Sequence, residues 1–267
     1  MADKPTTADG YLGEYLELVR ATCLYVATKL GDLSDDVVVI GGLVPSLLID
    51  QDALPEAVDT HVGTLDLDVG LTLTVLDEGR YRTLTKRLRR AGFTMDTNEE
   101  GNPTRQRWRI GDLEKKVTVD FLIPPSLPDD RGGTLRDIEP DFAAVIAPGL
   151  HLAFRDRQKV RLFGQTIRGE EASRDVWVCG PGAYVVLKAL AFHLRGENKD
   201  GYDLLYVIRN YGTGVDEIVE HLEPLMDDPA TTEALEIIRR DFTAHDAVGQ
   251  GRPRHPPSRR PRSAPRR

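Results

Sequence analysis

Three aspartates and a glycine pair are spaced for work on phosphate and metal. Asp66 and Asp68 alternate with leucines in Thr64-Leu65-Asp66-Leu67-Asp68, and Asp120 is the lone acid in Val117-Thr-Val-Asp-Phe-Leu-Ile123. Strand side chains repeat with period two, so Asp66 and Asp68 share a face. They stand about 6.6 Å apart along a strand, and a neighbouring strand runs about 4.8 Å away. Carboxylates in apolar strands are costly to bury unless paired or metal-bound. With Asp120 on an adjacent strand the three would form an oxygen cage for Mg²⁺, which favours carboxylates together with substrate phosphates. Gly41-Gly42 follows the β-branched run Val37–Ile40. A glycine pair at a strand-to-helix turn lets a phosphate approach closely, and backbone N–H groups at a helix start suit anions. The plainer readings are a tight turn for the glycines, a solvated strand face for Asp66 and Asp68, and an ion-paired strand acid for Asp120. Thr64 is either an ordinary strand threonine or a hydroxyl set beside the first acid.

A second group lies further along. Lys188 and Arg195 are seven residues apart on an apolar helical stretch and share a face. Lys188 is either a surface charge or the cation that offsets a triphosphate. Asp200 and Asp203 open the next helix, where acids are favoured by the helix dipole alone. Whether either one is an active-site acid stays open. The histidines are scattered and read as structural or exposed. Trp108 and Trp177 read as core.

The order strand, Gly-Gly, helix, strand with Thr-x-Asp-x-Asp, then a strand with a lone Asp resembles the nucleotidyltransferase superfamily that includes DNA polymerase β. The segment Lys188-Ala-Leu-Ala-Phe-His-Leu-Arg195, followed by Lys199-Asp-Gly-Tyr-Asp-Leu204, looks like the AbiEii/AbiGii family. These are bacterial nucleotidyltransferase-like toxins of abortive-infection, type IV toxin–antitoxin systems. The resemblance spans about Val37 to Tyr211. It implies a Mg²⁺-dependent transfer of NMP from NTP to an acceptor hydroxyl, with two ions on Asp66 and Asp68. Asp120 would complete the cage or act as base. Gly41, Gly42 and Thr64 would seat the triphosphate beside Lys188 and Arg195, with Asp200 or Asp203 as a further acid. It also implies a tRNA acceptor and a cognate antitoxin. The chain departs from the pattern in a longer gap between Gly42 and Asp66, and in Val62, where arginine is common. Two alternatives stand beside this reading: a non-catalytic member that binds nucleotide or a partner, and an enzyme that modifies a small molecule such as an antibiotic.

The elements that must hold these residues read as an α+β fold, a nucleotidyltransferase-type mixed sheet with flanking helices and a helical C-terminal part. Helices are expected at Tyr11–Leu30, Leu43–Ile49, Asp77–Ala91, Pro181–Leu194, Lys199–Tyr211, Val215–Leu225 and Thr231–Ala244. Strands are expected at Val37–Ile40, Leu65–Leu73, Phe93–Met95, Arg105–Ile110, Val117–Ile123, Val160–Phe163, Gln165–Arg168 and Val176–Cys179. Ile123 to Phe142, rich in Pro, Gly and Asp, reads as a long loop. The domain reading is 1–180 for the core with its N-terminal helix, 181–248 for a helical domain, and 249–267 for a disordered tail. That last stretch holds seven arginines and no acid, so residues 1–248 carry −15 of a net charge of −8. An acidic body argues against a broad nucleic-acid-coating surface, while arginine-rich tails bind RNA or mark a non-native end. No apolar run approaches the ~18 residues of a membrane helix. The polar N-terminus lacks a signal-peptide core, and Cys23 and Cys179 have no metal-type spacing. A cytoplasmic protein is the expectation.

Overall fold

Runs of β-branched residues build the centre of a nine-stranded mixed sheet. The computed structural model describes residues 13–72, 78–111 and 116–242. The strands are β1 (Val37–Ile40), β2 (Asp66–Leu71), β3 (Thr94–Thr97), β4 (Pro103–Ile110), β5 (Val117–Ile123), β6 (Leu135–Glu139), β7 (Phe142–Ile146), β8 (Arg157–Gln165) and β9 (Glu171–Cys179). Their order is β3-β4-β5-β2-β1-β9-β8, with β7 joined to β5 and β6 to β7. β2 runs parallel to β5 and antiparallel to β1, while β1 runs parallel to β9. The sheet is therefore mixed and flanked by helices, as expected.

The central strands are buried on both faces, as β1 shows throughout its length. Helix α1 (Gly13–Leu30) lies across one face, so that Cys23 and Val26 meet Val37, Val39, Leu67 and Val69. On β5 the alternate residues Val117, Val119, Phe121 and Ile123 are fully buried, while Thr118, Asp120 and Leu122 between them are half-buried. This two-residue period leaves the acids on the opposite face. Helix α2 (Val44–Leu48) follows a 3₁₀ turn at Gly41–Leu43 and is five residues long, shorter than the expected 43–49. Its dipole therefore adds little to any anion site. Helix α3 (Glu78–Arg90) packs against α1. Trp108 is core, as expected, and stacks at a tilt on Phe142.

The remaining helices are α4 (Pro181–Arg195), α5 (Asn198–Asn210), α6 (Val215–Leu222) and α7 (Pro229–Phe242). Helix α4 is the hub on which the other three pack. A Cβ at Gly182 would lie 2.6 Å from the His221 carbonyl oxygen, so glycine is what lets α4 and α6 approach so closely. Asp156 anchors the start of α4, accepting the Ala183 N–H at 2.8 Å and the His221 Nδ1 bond at 2.8 Å.

Three expectations need correction. The supposed loop 123–142 contains β6 and leads directly into β7. β6 pairs only with β7, in a hairpin at the sheet margin, β7 also pairs with β5, and neither strand shows clean alternation. The three short strands at 160–179 are a single hairpin of two nine-residue strands, with 165–168 entering its turn. Cations interrupt the apolar pattern there because one face is solvated. Trp177 is half-exposed rather than core. Its N–H donates to Asp35 at 2.7 Å, and Arg157 and Lys159 lie 4.2 and 4.7 Å from its ring centroid. The expected helix ends at Tyr11, Asp77 and Ala244, the strand end at Leu73, and the tail 249–267 lie outside the described residues.

Candidate functional site

The acids converge because of strand register. Ile40 stands opposite Asp68, Asp68 opposite Asp120, and Asp120 opposite Arg107, in one row across β1, β2, β5 and β4. Asp66 is two residues back on the face of Asp68. One carboxylate oxygen from each of Asp66, Asp68 and Asp120 lies within 4.8 Å of the others. Asp66 is buried, and Asp68 and Asp120 are half-buried.

The glycine turn closes over this row. Gly41 has φ +73°, and a Cβ there would fall 1.9 Å from Asp68 Oδ2. At Gly42 a Cβ would fall 2.8 Å from the Thr64 side chain. Both glycines are therefore needed to seat the acid strand, whatever ligand they meet. Thr64 Oγ1 donates to Asp66 Oδ1 at 2.8 Å, which helps fix that carboxylate. Arg107 grips Asp120 through both oxygens, its Nε on Oδ1 at 2.7 Å and its terminal nitrogen on Oδ2 at 2.5 Å. That pair of hydrogen bonds holds the Arg107 guanidinium above even its ordinary value, helped by the charges of Asp120, Asp66 and Asp68. Arg107 was not singled out from the sequence. Its signal is the period-two run Arg105, Arg107, Arg109, which reads equally well as a solvated strand face.

The second group forms its own buried network. Lys188 donates to Asp200 at 3.0 Å and to Asp203 at 2.7 Å. Lys199 reaches Asp203 at 2.6 Å, and Arg195 holds both oxygens of Asp200 at 2.8 Å. Asp200 is 2% exposed and Asp203 0%. Burial alone would raise the Asp203 carboxyl, but Lys188, the His61 bond and Lys199 together hold it well below the carboxylate range. Burial likewise works against the Lys188 ammonium, and the two aspartates outweigh it and raise that group. The cation at Lys188 is thus met by two carboxylates of its own chain.

His61 completes the network. The Gly63 N–H donates to its Nδ1 at 3.1 Å, so the ring proton sits on Nε2, which donates to Asp203 at 2.8 Å. Burial lowers this imidazole against the pull of Asp203, and the ring packs between Tyr202 and Tyr206. The histidine is structural, as expected, yet it joins the two groups. Gly63 and Thr64, the next residues but one and two, lead straight from Asp203's partner to Asp66's partner. The charges of Lys199 and Asp66 act on each other, as do those of Arg195 and Asp68. Tyr184 lies within the field of Asp203, Asp200 and Asp68, and its fully buried hydroxyl has no hydrogen-bond partner among the described residues.

The donor set suits a hard cation. Three carboxylates offer only oxygen, and their mutual separations of up to 4.8 Å would have to close, by side-chain rotation, to the ~3 Å between neighbouring ligands on octahedral Mg²⁺. Arg107 occupies one lone pair on each Asp120 oxygen and leaves the others available. No protein-family model matches the chain, and no curated protein matches it. Among the described residues, no helix is long and apolar enough to cross a membrane.

Proposed function

We propose that the protein is a Mg²⁺-dependent nucleotidyltransferase. One observation carries this reading: strand register and a glycine turn bring Asp66, Asp68 and Asp120 into one oxygen cluster. Carboxylates so placed repel one another, and a fold keeps them together at a cost to stability that a cation offsets. Asp66, Asp68 and Asp120 would hold the metal. Bound Mg²⁺ would supply the positive charge that offsets the phosphoryl oxygens. The backbone of Gly41 and Gly42 faces the same cluster and would border the triphosphate. In the reaction the acceptor oxygen bonds to the α-phosphorus as the bond to pyrophosphate breaks. The hydroxyl proton passes to Asp120 where that residue serves as base. Lys188 and Arg195, tied to Asp200 and Asp203, would act by fixing α4 and α5 beside the cluster. By resemblance the acceptor is a tRNA 3′ end, and the biological role is that of a toxin held by a cognate antitoxin.

The test is incubation with labelled NTPs, Mg²⁺ and either total tRNA or an aminoglycoside panel. Label should enter RNA, and Asp66→Ala and Asp68→Ala should each abolish transfer while keeping the fold. Near wild-type transfer by either variant would refute the metal-site assignment. The bidentate hydrogen bonding of Arg107 to Asp120 favours a second reading, in which the fold binds nucleotide without turnover. Mg²⁺-dependent NTP binding with no transfer to any acceptor would select it.

A further inference from the structure

The β8–β9 hairpin carries a row of cations beside an exposed aromatic ring. Along β8 the residues Arg157, Lys159, Arg161 and Phe163 alternate, so they share one face, with successive side chains about 6.8 Å apart. Opposite them on β9 stand Cys179, Trp177, Asp175 and Ser173. The other face of β8 is turned to α1, where Leu162 is 3% exposed beside Leu18, Ala21 and Leu24. The cationic face is exposed from Lys159 to Phe163, while at Arg157 it meets the body, where Cys179 is fully buried. Phe163 is 80% exposed, the most exposed large apolar side chain among the described residues. Trp177 lies between Arg157 and Lys159 in cation–π contact. Three acids share the surface: Asp175 pairs with Arg161 at 2.8 Å, Asp35 accepts the Trp177 N–H, and Glu171 stands opposite Gln165 beyond Phe163.

We infer that this hairpin face binds single-stranded nucleic acid. A body of net charge −15 repels polyanions, so Arg157 and Lys159, which unlike Arg161 have no ion-pair partner among the described residues, mark a place where a phosphate chain can be met. A single row fits one backbone better than the two of a duplex. Single strands are held by a basic track together with aromatic rings on which bases stack. Phe163 offers such a ring at the end of the track, and Arg157 and Lys159 are held in place by Trp177. An acidic protein or an anionic lipid surface would also meet the cations, but neither needs an isolated flat ring.

The full chain is tested by fluorescence anisotropy with a labelled twelve-residue oligouridylate across a salt series and without NTP, so that transfer does not enter. Lys159→Glu should weaken binding and reduce the salt slope by about one or more. Phe163→Ala should weaken it about tenfold with an unchanged slope, and Phe163→Trp should restore it. An abasic oligomer of equal length should bind wild type about as weakly as the oligouridylate binds Phe163→Ala. All these positions are exposed, and far-UV circular dichroism checks that the fold is kept. Wild-type affinity in both Lys159→Glu and Phe163→Ala would overturn the inference. So would equal binding of the abasic chain, or a Lys159→Glu loss confined to anionic vesicles.

Discussion

Asp203 is the most committed side chain in the molecule. It is fully buried, yet it accepts bonds from Lys188, Lys199 and His61. A buried carboxylate with this many donors stays ionised, and removing it would leave buried Lys188 with Asp200 alone. The sequence left Asp200 and Asp203 divided between helix-dipole acids and site acids. In the structure both also contact Lys188, whose charge they neutralise between two helices. His61 makes the network sensitive to pH. Its folded value lies below the ordinary 6.5, so below that pH the unfolded chain takes up a proton that the folded chain refuses. Stability should therefore fall as pH drops through about 6.5, where histidine ordinarily titrates. The Asp203 contribution, held by a lowered carboxyl, should fall away only below its ordinary 3.8. Urea titrations from pH 8 to 5 should show this slope in the wild type and a flatter one in His61→Gln. Equal slopes in the two proteins would rule out His61 as its source.

At the scale of elements, the turn between β1 and α2 is the most constrained piece. Gly41 has a left-handed backbone and no room for a Cβ beside Asp68. Gly41→Ala should destabilise the fold by about 1–3 kcal/mol through backbone strain and push the Asp68 carboxylate out of the cluster. Thermal melts with and without Mg²⁺ should show a lower melting temperature and the loss of any Mg²⁺-dependent stabilisation. A variant that melts like wild type and still responds to Mg²⁺ would show that the turn does not position Asp68. The glycine pair was legible in sequence because it follows a clean β-branched run. The strands β6, β7 and β8 were blurred because they are marginal, mixed with charge, or paired far along the chain, and local pattern carries little of that information.

Over the whole molecule, charge is unevenly divided. Residues 1–248 are strongly acidic, the hairpin face is basic, and residues 249–267 add seven arginines without a large apolar side chain. A segment with nothing to bury contributes little to folding. Deleting 249–267 should leave the melting temperature unchanged and lower the salt slope of RNA binding, since several phosphate counterions would no longer be released. The hairpin-dependent part should persist in the truncated chain. A truncated protein that melts well below the full chain would mean that the tail packs on the body.

The sequence by itself determined the periodicities: which strands bear acids, that Asp66 and Asp68 share a face, and that Lys188 stands on an apolar helix. Those follow from local geometry, two residues per strand repeat and 3.6 per helical turn. Only tertiary structure decided that Asp68 stands opposite Asp120 and Asp120 opposite Arg107, since register is set between strands and not within them. It likewise decided that Gly41 is fitted around Asp68, that Lys188 is shared by Asp200 and Asp203, and that His61 closes on Asp203 across 142 positions of sequence. Partners so far apart are chosen by burial, where an unpaired charge or an empty space costs more than any local preference returns.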